Sequence, residues 1–118
     1  MAGRYRVVRH SDHAVPEVAP RPLLGREGAV DIRSWTLASG GIPLLLVNAS
    51  RKQGPAVVRN RFRRRVRMAF LRVLKDATPL PPGTVVWVRP PRGSRVCDIP
   101  FPVIETQLRL ALSRRDPR

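Results

Sequence analysis

With 118 residues the chain has room for one hydrophobic core but not for two ordinary ones, and 42% hydrophobic residues suffice to build it. Its 23 Lys and Arg against 8 Asp and Glu leave a formal charge of +15, so the compact chain repels itself until a polyanion neutralises it. A single cysteine, Cys97, excludes an internal disulfide and a cysteine-built metal site, and no apolar run nears the roughly 20 residues of a membrane span.

Nucleic acid is therefore the first candidate partner and an anionic membrane surface the second. Of the basic residues only Lys52 and Lys75 are lysine. Arginine meets phosphate bidentately and stacks on bases, although a GC-rich genome would produce the same bias. The basic start, residues 1–9, is followed by no apolar segment, so no secretory signal is expected and a reduced, cytoplasmic setting fits.

Residues 1–28 are punctuated by Pro16, Pro20 and Pro22 and are expected to be irregular or partly helical, with a short helix near residues 11–15 capped by Ser11. From Gly28 onward, Val30, Ile32 and Thr36 alternate with Asp31, Arg33 and Trp35, the pattern of a half-buried strand. Ser39-Gly40-Gly41 reads as a hairpin turn, and the apolar run from Ile42 to Ala49 as a buried central strand. Gly54-Pro55 opens a helix over about 56–75, with Pro55 at the first helical position. At helical spacing Val58, Phe62, Val66, Ala69, Phe70 and Val73 form one apolar stripe, and Arg61, Arg63, Arg64, Arg65, Arg67, Arg72 and Lys75 lie opposite.

Pro79, Pro81, Pro82 and Gly83 stop that helix. Thr84 to Arg89 is a valine-rich strand whose Trp87 reads as core, residues 90–94 form a basic loop, and a last helix over about 103–115 carries Ile104, Leu108, Leu110 and Leu112. The order strand, strand, helix, strand, helix predicts a single α+β domain over 1–118. It is a two-layer sandwich in which one mainly antiparallel sheet is packed by the long basic helix. That helix joins two strands able to pair in parallel as a βαβ unit.

Between Arg51 and Lys75 there are ten basic residues and no acidic one. A charge run is ordinarily a solvated face balanced by opposite charges at i,i+4. Here Arg59/Arg63, Arg61/Arg65 and Arg63/Arg67 are like-charge pairs that destabilise the isolated helix. A repulsion repeated so often implies a compensating polyanion.

The segment Ser50-Arg51-Lys52-Gln53-Gly54-Pro55-Ala56-Val57-Val58-Arg59-Asn60-Arg61, followed by Phe62-Arg63-Arg64-Arg65-Val66-Arg67, resembles the bacterial ribonuclease P protein family. That family carries a Ser-Lys-Lys segment, a Gly, and then Ala-Val-x-Arg-Asn-Arg with further basic residues. Arg6 to His13 is similar to its N-terminal basic segment, with His13 where the family has Phe. Trp35-Thr36-Leu37 matches an aromatic on the first strand, and Thr84 to Pro90 the valine-rich later strand.

The resemblance implies a fold like the second domain of ribosomal protein S5, with a left-handed βαβ crossover that the general rule for such units would not suggest. It implies that Arg51, Lys52, Arg59, Asn60, Arg61, Arg63, Arg64, Arg65 and Arg67 contact the catalytic ribonuclease P RNA. It also implies that the face of the sheet beside the helix forms a cleft for the single-stranded 5′ leader of precursor tRNA, with His13, Arg33 and Trp35 as candidates. Trp35 suits base stacking as well as it suits a core position.

No catalytic set is visible. His10 and His13 are the only histidines, and the eight acidic residues form no cluster able to hold paired metals. The histidines read as solvated side chains, and neither a protein-bound metal nor a protein cofactor is expected. The resemblance instead implies a subunit that assists an RNA catalyst, with Mg²⁺ held mainly by RNA, and that needs no membrane and no obligate protein partner. The alternatives are a structural RNA-binding protein of the ribosome or its assembly, and a basic membrane- or DNA-binding module. The first leaves the Arg-Asn-Arg segment unexplained. The second conflicts with an apolar stripe that packing on the strands already requires.

Overall fold

The computed structural model describes residues 5–8, 20–24, 29–38, 40–76, 80–91 and 98–114. In chain order they form β1 (Arg6–Val8), β2 (Asp31–Thr36), β3 (Leu44–Val47), a 3₁₀ turn at Arg51–Gln53, α1 (Ala56–Asp76), β4 (Thr84–Arg89) and α2 (Phe101–Arg114). His13 and the helix expected near residues 11–15 lie outside the described residues.

One sheet runs in the order β1-β3-β4-β2. β3 pairs in parallel with β4 across α1, in keeping with the βαβ unit expected there, and β2 pairs antiparallel with β4. The sheet is mixed rather than mainly antiparallel, because a strand at Arg6–Val8 adds a second parallel pair to β3. The three-residue length of β1 explains why hydrophobic periodicity does not disclose it.

The expected hairpin between β2 and β3 is also corrected: β4 lies between them. Gly40 and Gly41 do reverse the chain, with φ of 70° and 101°, but the turn hands β3 to the far side of β4. Gly83 closes the same corner. Leu37 donates to its carbonyl at 2.8 Å and its own amide donates to Gly41 at 2.8 Å. With φ of +80°, a Cβ at Gly83 would stand 2.5 Å from the Leu37 carbonyl oxygen, so only glycine fits.

The valine-rich β4 is buried on both faces, as its central place demands. Against one face, Ile32, Leu45, Val86 and Val88 pack with Phe62, Val66, Phe70 and Val73 of α1 and Ile104 and Leu108 of α2. The stripe read from the sequence is the buried stripe of α1 except at Val58, which is only partly buried, and Leu74 extends it. The helix starts at Ala56, as expected, and Pro55 stands just before it, its carbonyl accepting the first helical bond, from Arg59 at 3.0 Å. On the opposite face Leu44, Leu46, Val85 and Trp87 form a second, smaller cluster against Trp35 and Leu37.

The corner gives a direct test. Gly83→Ala is expected to destabilise the protein by at least about 2 kcal/mol in urea denaturation, through forced φ and backbone collision. A change under about 0.5 kcal/mol would contradict the corner described.

Candidate nucleic-acid interface

Burial of its apolar stripe fixes the rotation of α1 and thereby sorts its cations. On the flank toward α2, Arg61 and Arg65 reach Asp98 at 3.4 and 2.9 Å, and Arg65 also donates to the Ile99 carbonyl at 2.8 Å. Further along this flank Arg72 pairs with Glu105 at 3.0 Å, and Arg109 of α2 pairs with Asp76 at 2.8 Å. These carboxylates come from outside the run of basic residues, so no local sequence signal announces them. Arg65 acts as a strap between α1 and the start of α2, while Arg61 has a longer, half-exposed contact.

The other flank faces the β1 side. Arg63 donates to Asn60 Oδ1 at 3.0 Å and to the Ala49 carbonyl at 3.3 Å, and Arg59 to the Gly54 carbonyl at 3.2 Å. The exposed Asn60 therefore orients Arg63 by its side-chain oxygen. Near the middle of the helix the Tyr5 hydroxyl donates to the Arg67 carbonyl at 3.2 Å, and its ring meets Phe70 edge-on at 5.1 Å. Burial raises the Tyr5 pKa above the ordinary phenol value, and the Arg67 charge opposes the rise.

Between the flanks, Arg64 and Arg67 are exposed, as are Arg51 and Lys52 in the 3₁₀ turn. None of these four has a carboxylate partner among the described residues. The turn that presents Arg51 and Lys52 is closed by Gln53, whose side-chain oxygen accepts from the Ser50 amide at 2.9 Å. The nine residues expected to meet RNA thus lie on α1 and on the 3₁₀ turn before it. Arg61 and Arg65 are engaged by Asp98, and the remainder have no carboxylate partner among the described residues.

Arg33 and Trp35, the described leader candidates, lie on the sheet face away from α1 and α2 rather than on the face beside the helix. The pairings place Asp31 opposite Arg89, Arg33 opposite Trp87 and Trp35 opposite Val85. Asp31 accepts from Arg33 Nε at 3.1 Å and from Arg89 Nε at 2.8 Å, and Arg33 Nη1 donates to the Pro20 carbonyl at 2.9 Å. Arg33 is thereby held in place, with its side chain 15% exposed. Arg89 lies over the Trp87 ring at 4.7 Å, and Trp87 meets Trp35 edge-on at 6.2 Å. Trp87 is core, as expected, but in the smaller cluster and not beneath the helices. Period-two alternation puts Asp31 beside Arg33, and that signal could have shown Arg33 to be half of an ion pair. The contribution of Arg89 rests on strand register and has no such signal.

Among the described residues no group of three His, Cys, Asp or Glu is placed to hold a metal, and no helix is long and apolar enough to cross a membrane.

An α+β sandwich that carries an arginine ridge largely without local counter-charge is the architecture of a polyanion-binding protein. The ribonuclease P family model matches residues 31–115, and the chain belongs to that family. Its fold is similar to that of the Staphylococcus aureus RNase P protein, with a TM-score of 0.59 and 21% identity over 93% of this chain and 94% of the other. A mutant of that protein with defective mRNA degradation activity matches with a TM-score of 0.59 and 19% identity, covering 92% of this chain and 86% of the other. No curated protein matches significantly. Membership places the chain in the ribonuclease P complex of tRNA processing and implies binding to ribonuclease P RNA.

The two kinds of arginine separate in stability measurements. Arg65→Ala is expected to lower stability by about 1 kcal/mol through removal of the strap, while Arg64→Ala stays within about 0.5 kcal/mol. Equal effects in urea denaturation would contradict the sorting.

Proposed function

We propose that this chain is the protein subunit of ribonuclease P. It binds the catalytic RNA through the outward surface of α1 and the turn before it, binds the 5′ leader of precursor tRNA on the open face of the sheet, and assists removal of that leader. The observation that carries the reading is the row of exposed cations at Arg51, Lys52, Arg64 and Arg67, without carboxylate partners among the described residues and flanked by Arg59, Asn60 and Arg63. Phosphates of the RNA supply the missing counter-charge, and binding releases the counterions they had condensed. Arg61 exchanges Asp98 for a phosphate at little cost, since an exposed ion pair of this length contributes under about 1 kcal/mol.

The leader is single-stranded, and stacking on an aromatic suits an unpaired base of any sequence. Trp35 stands at the edge of the open face beside the Arg33–Asp31–Arg89 cluster, which holds positive charge close to the ring. Cleavage is assigned to the RNA, since the arginine ridge and the sheet face offer cations and apolar surface rather than a paired general acid and base. Mg²⁺ is held mainly by RNA, and the protein's cations lower the ion concentration that compact RNA requires.

The test is cleavage of precursor tRNA at low Mg²⁺ by a bacterial ribonuclease P RNA, with and without this chain. Restored cleavage at the mature 5′ end, abolished in the Arg59→Ala/Arg61→Ala double variant, is expected. RNA binding that never raises cleavage by a cognate RNA would replace this reading with that of a structural RNA-binding protein.

A further inference from the structure

The open face of the sheet ends in a hollow that the family assignment leaves without a role. Arg6, Leu37, Gly40, Gly41, Ile42 and Leu44 line a cavity of about 300 Å³. Three of its walls are apolar side chains, its floor is the start of β3, and its rim is the glycine turn that hands β3 across the sheet. At Gly41 a Cβ would meet nothing within 4 Å, so the hollow opens to solvent there. Ile42 is 47% exposed on the same rim, an aliphatic side chain that the fold leaves uncovered. No carboxylate lines the cavity, and its one charged residue, Arg6, is exposed without a carboxylate partner among the described residues.

Register places the hollow relative to the proposed leader face. Arg6 pairs with Leu44, Leu44 with Val85 and Val85 with Trp35, so one row across the sheet runs from the hollow to the tryptophan. Side chains in one row share a face. Two inter-strand spacings separate Leu44 from Trp35, roughly 10 Å, a distance that an unstacked single strand covers in a couple of nucleotides. Arg6 stands in this same row, so it sets a positive charge at the mouth of the hollow on the face that carries Trp35.

We propose that this hollow is a second nucleotide subsite: one unpaired base of the leader inserts between Leu37, Ile42 and Leu44, and Arg6 holds the adjoining phosphate. The subsite rests on the leader-binding reading above and extends it from the single stacking position at Trp35 to a two-point grip. A base has a flat apolar face and a charged backbone on one side only. An apolar hollow with a single arginine at its rim is complementary to that shape and charge. The walls read no hydrogen-bonding edge, so the site accepts any base.

The test uses the reconstituted holoenzyme and two substrates, a precursor tRNA with a long leader and one whose leader is cut to two nucleotides. Affinity is measured for the wild type, Ile42→Asp and Arg6→Gln, both at exposed positions. Each substitution is expected to reduce the affinity advantage of the long leader by about tenfold, the worth of one held base. Binding of the short-leader substrate and of ribonuclease P RNA itself should be unchanged. In the wild type one abasic leader position should reproduce the reduction, and the same abasic substrate should make no further difference to Ile42→Asp. A long-leader advantage that survives both substitutions overturns the subsite while leaving leader binding intact. A wild-type holoenzyme with no long-leader advantage overturns leader binding and the subsite together.

Discussion

Electrostatic repulsion within α1 is the constraint around which the protein is arranged. The helix carries seven arginines, several of them one turn apart, and as a free peptide it would be opposed by its own charges. It persists because Phe62, Val66, Phe70 and Val73 bury completely against the sheet and α2, and full burial of such side chains contributes about 1.5–3 kcal/mol each. Burial fixes the rotation of the helix, and rotation decides which arginines meet carboxylates and which meet solvent. Asp98, Glu105 and Asp76 relieve the flank toward α2, and Asp98 ties the start of α2 to α1 through Arg65. Among the described residues the outward surface is left without carboxylate partners, and in the proposed function an RNA backbone neutralises that charge.

The two faces of the sheet divide the remaining work. One face belongs to the helices and supplies stability. The other carries a small core of Leu44, Leu46, Val85 and Trp87, roofed at one edge by Trp35 and pinned at β2 and β4 by Asp31 with its two arginines. A strand buried on both sides, β4, connects the two cores. The same residues that complete the second core therefore border the proposed path of the leader, and the glycine corner at 40, 41 and 83 sets the end of that path.

Much of this is legible in the sequence because it is written in local patterns. The apolar stripe of α1, the alternation of β2 and the valine run of β4 each name their own element, and the Arg-Asn-Arg segment names the family. What stays hidden depends on contacts between distant segments. β1 is three residues of Arg-Val-Val whose strand character comes only from pairing with Leu44–Leu46. The Gly40-Gly41 turn has the local chemistry of a hairpin, and nothing nearby shows that a later strand will insert. Arg65 is indistinguishable in sequence from its neighbours, and only Asp98, 33 residues further on, sets it apart. The hollow is formed where Arg6 of β1 meets the distant stretch 37–44, a juxtaposition with no local sequence signature.

In the proposed function the rotation of α1 separates RNA-binding arginines from structural ones, and the salt dependence of binding to ribonuclease P RNA probes that separation residue by residue. We would compare the wild type with Arg64→Ala, Arg67→Ala and Arg72→Ala. Removing one phosphate contact should reduce the slope of log K against log salt by about 0.7–0.9. That reduction is expected at Arg64 and at Arg67, with an unchanged slope at Arg72, which is paired with Glu105. Equal reductions at all three positions would mean that the RNA meets the helix without regard to its packing, and the separation would be wrong.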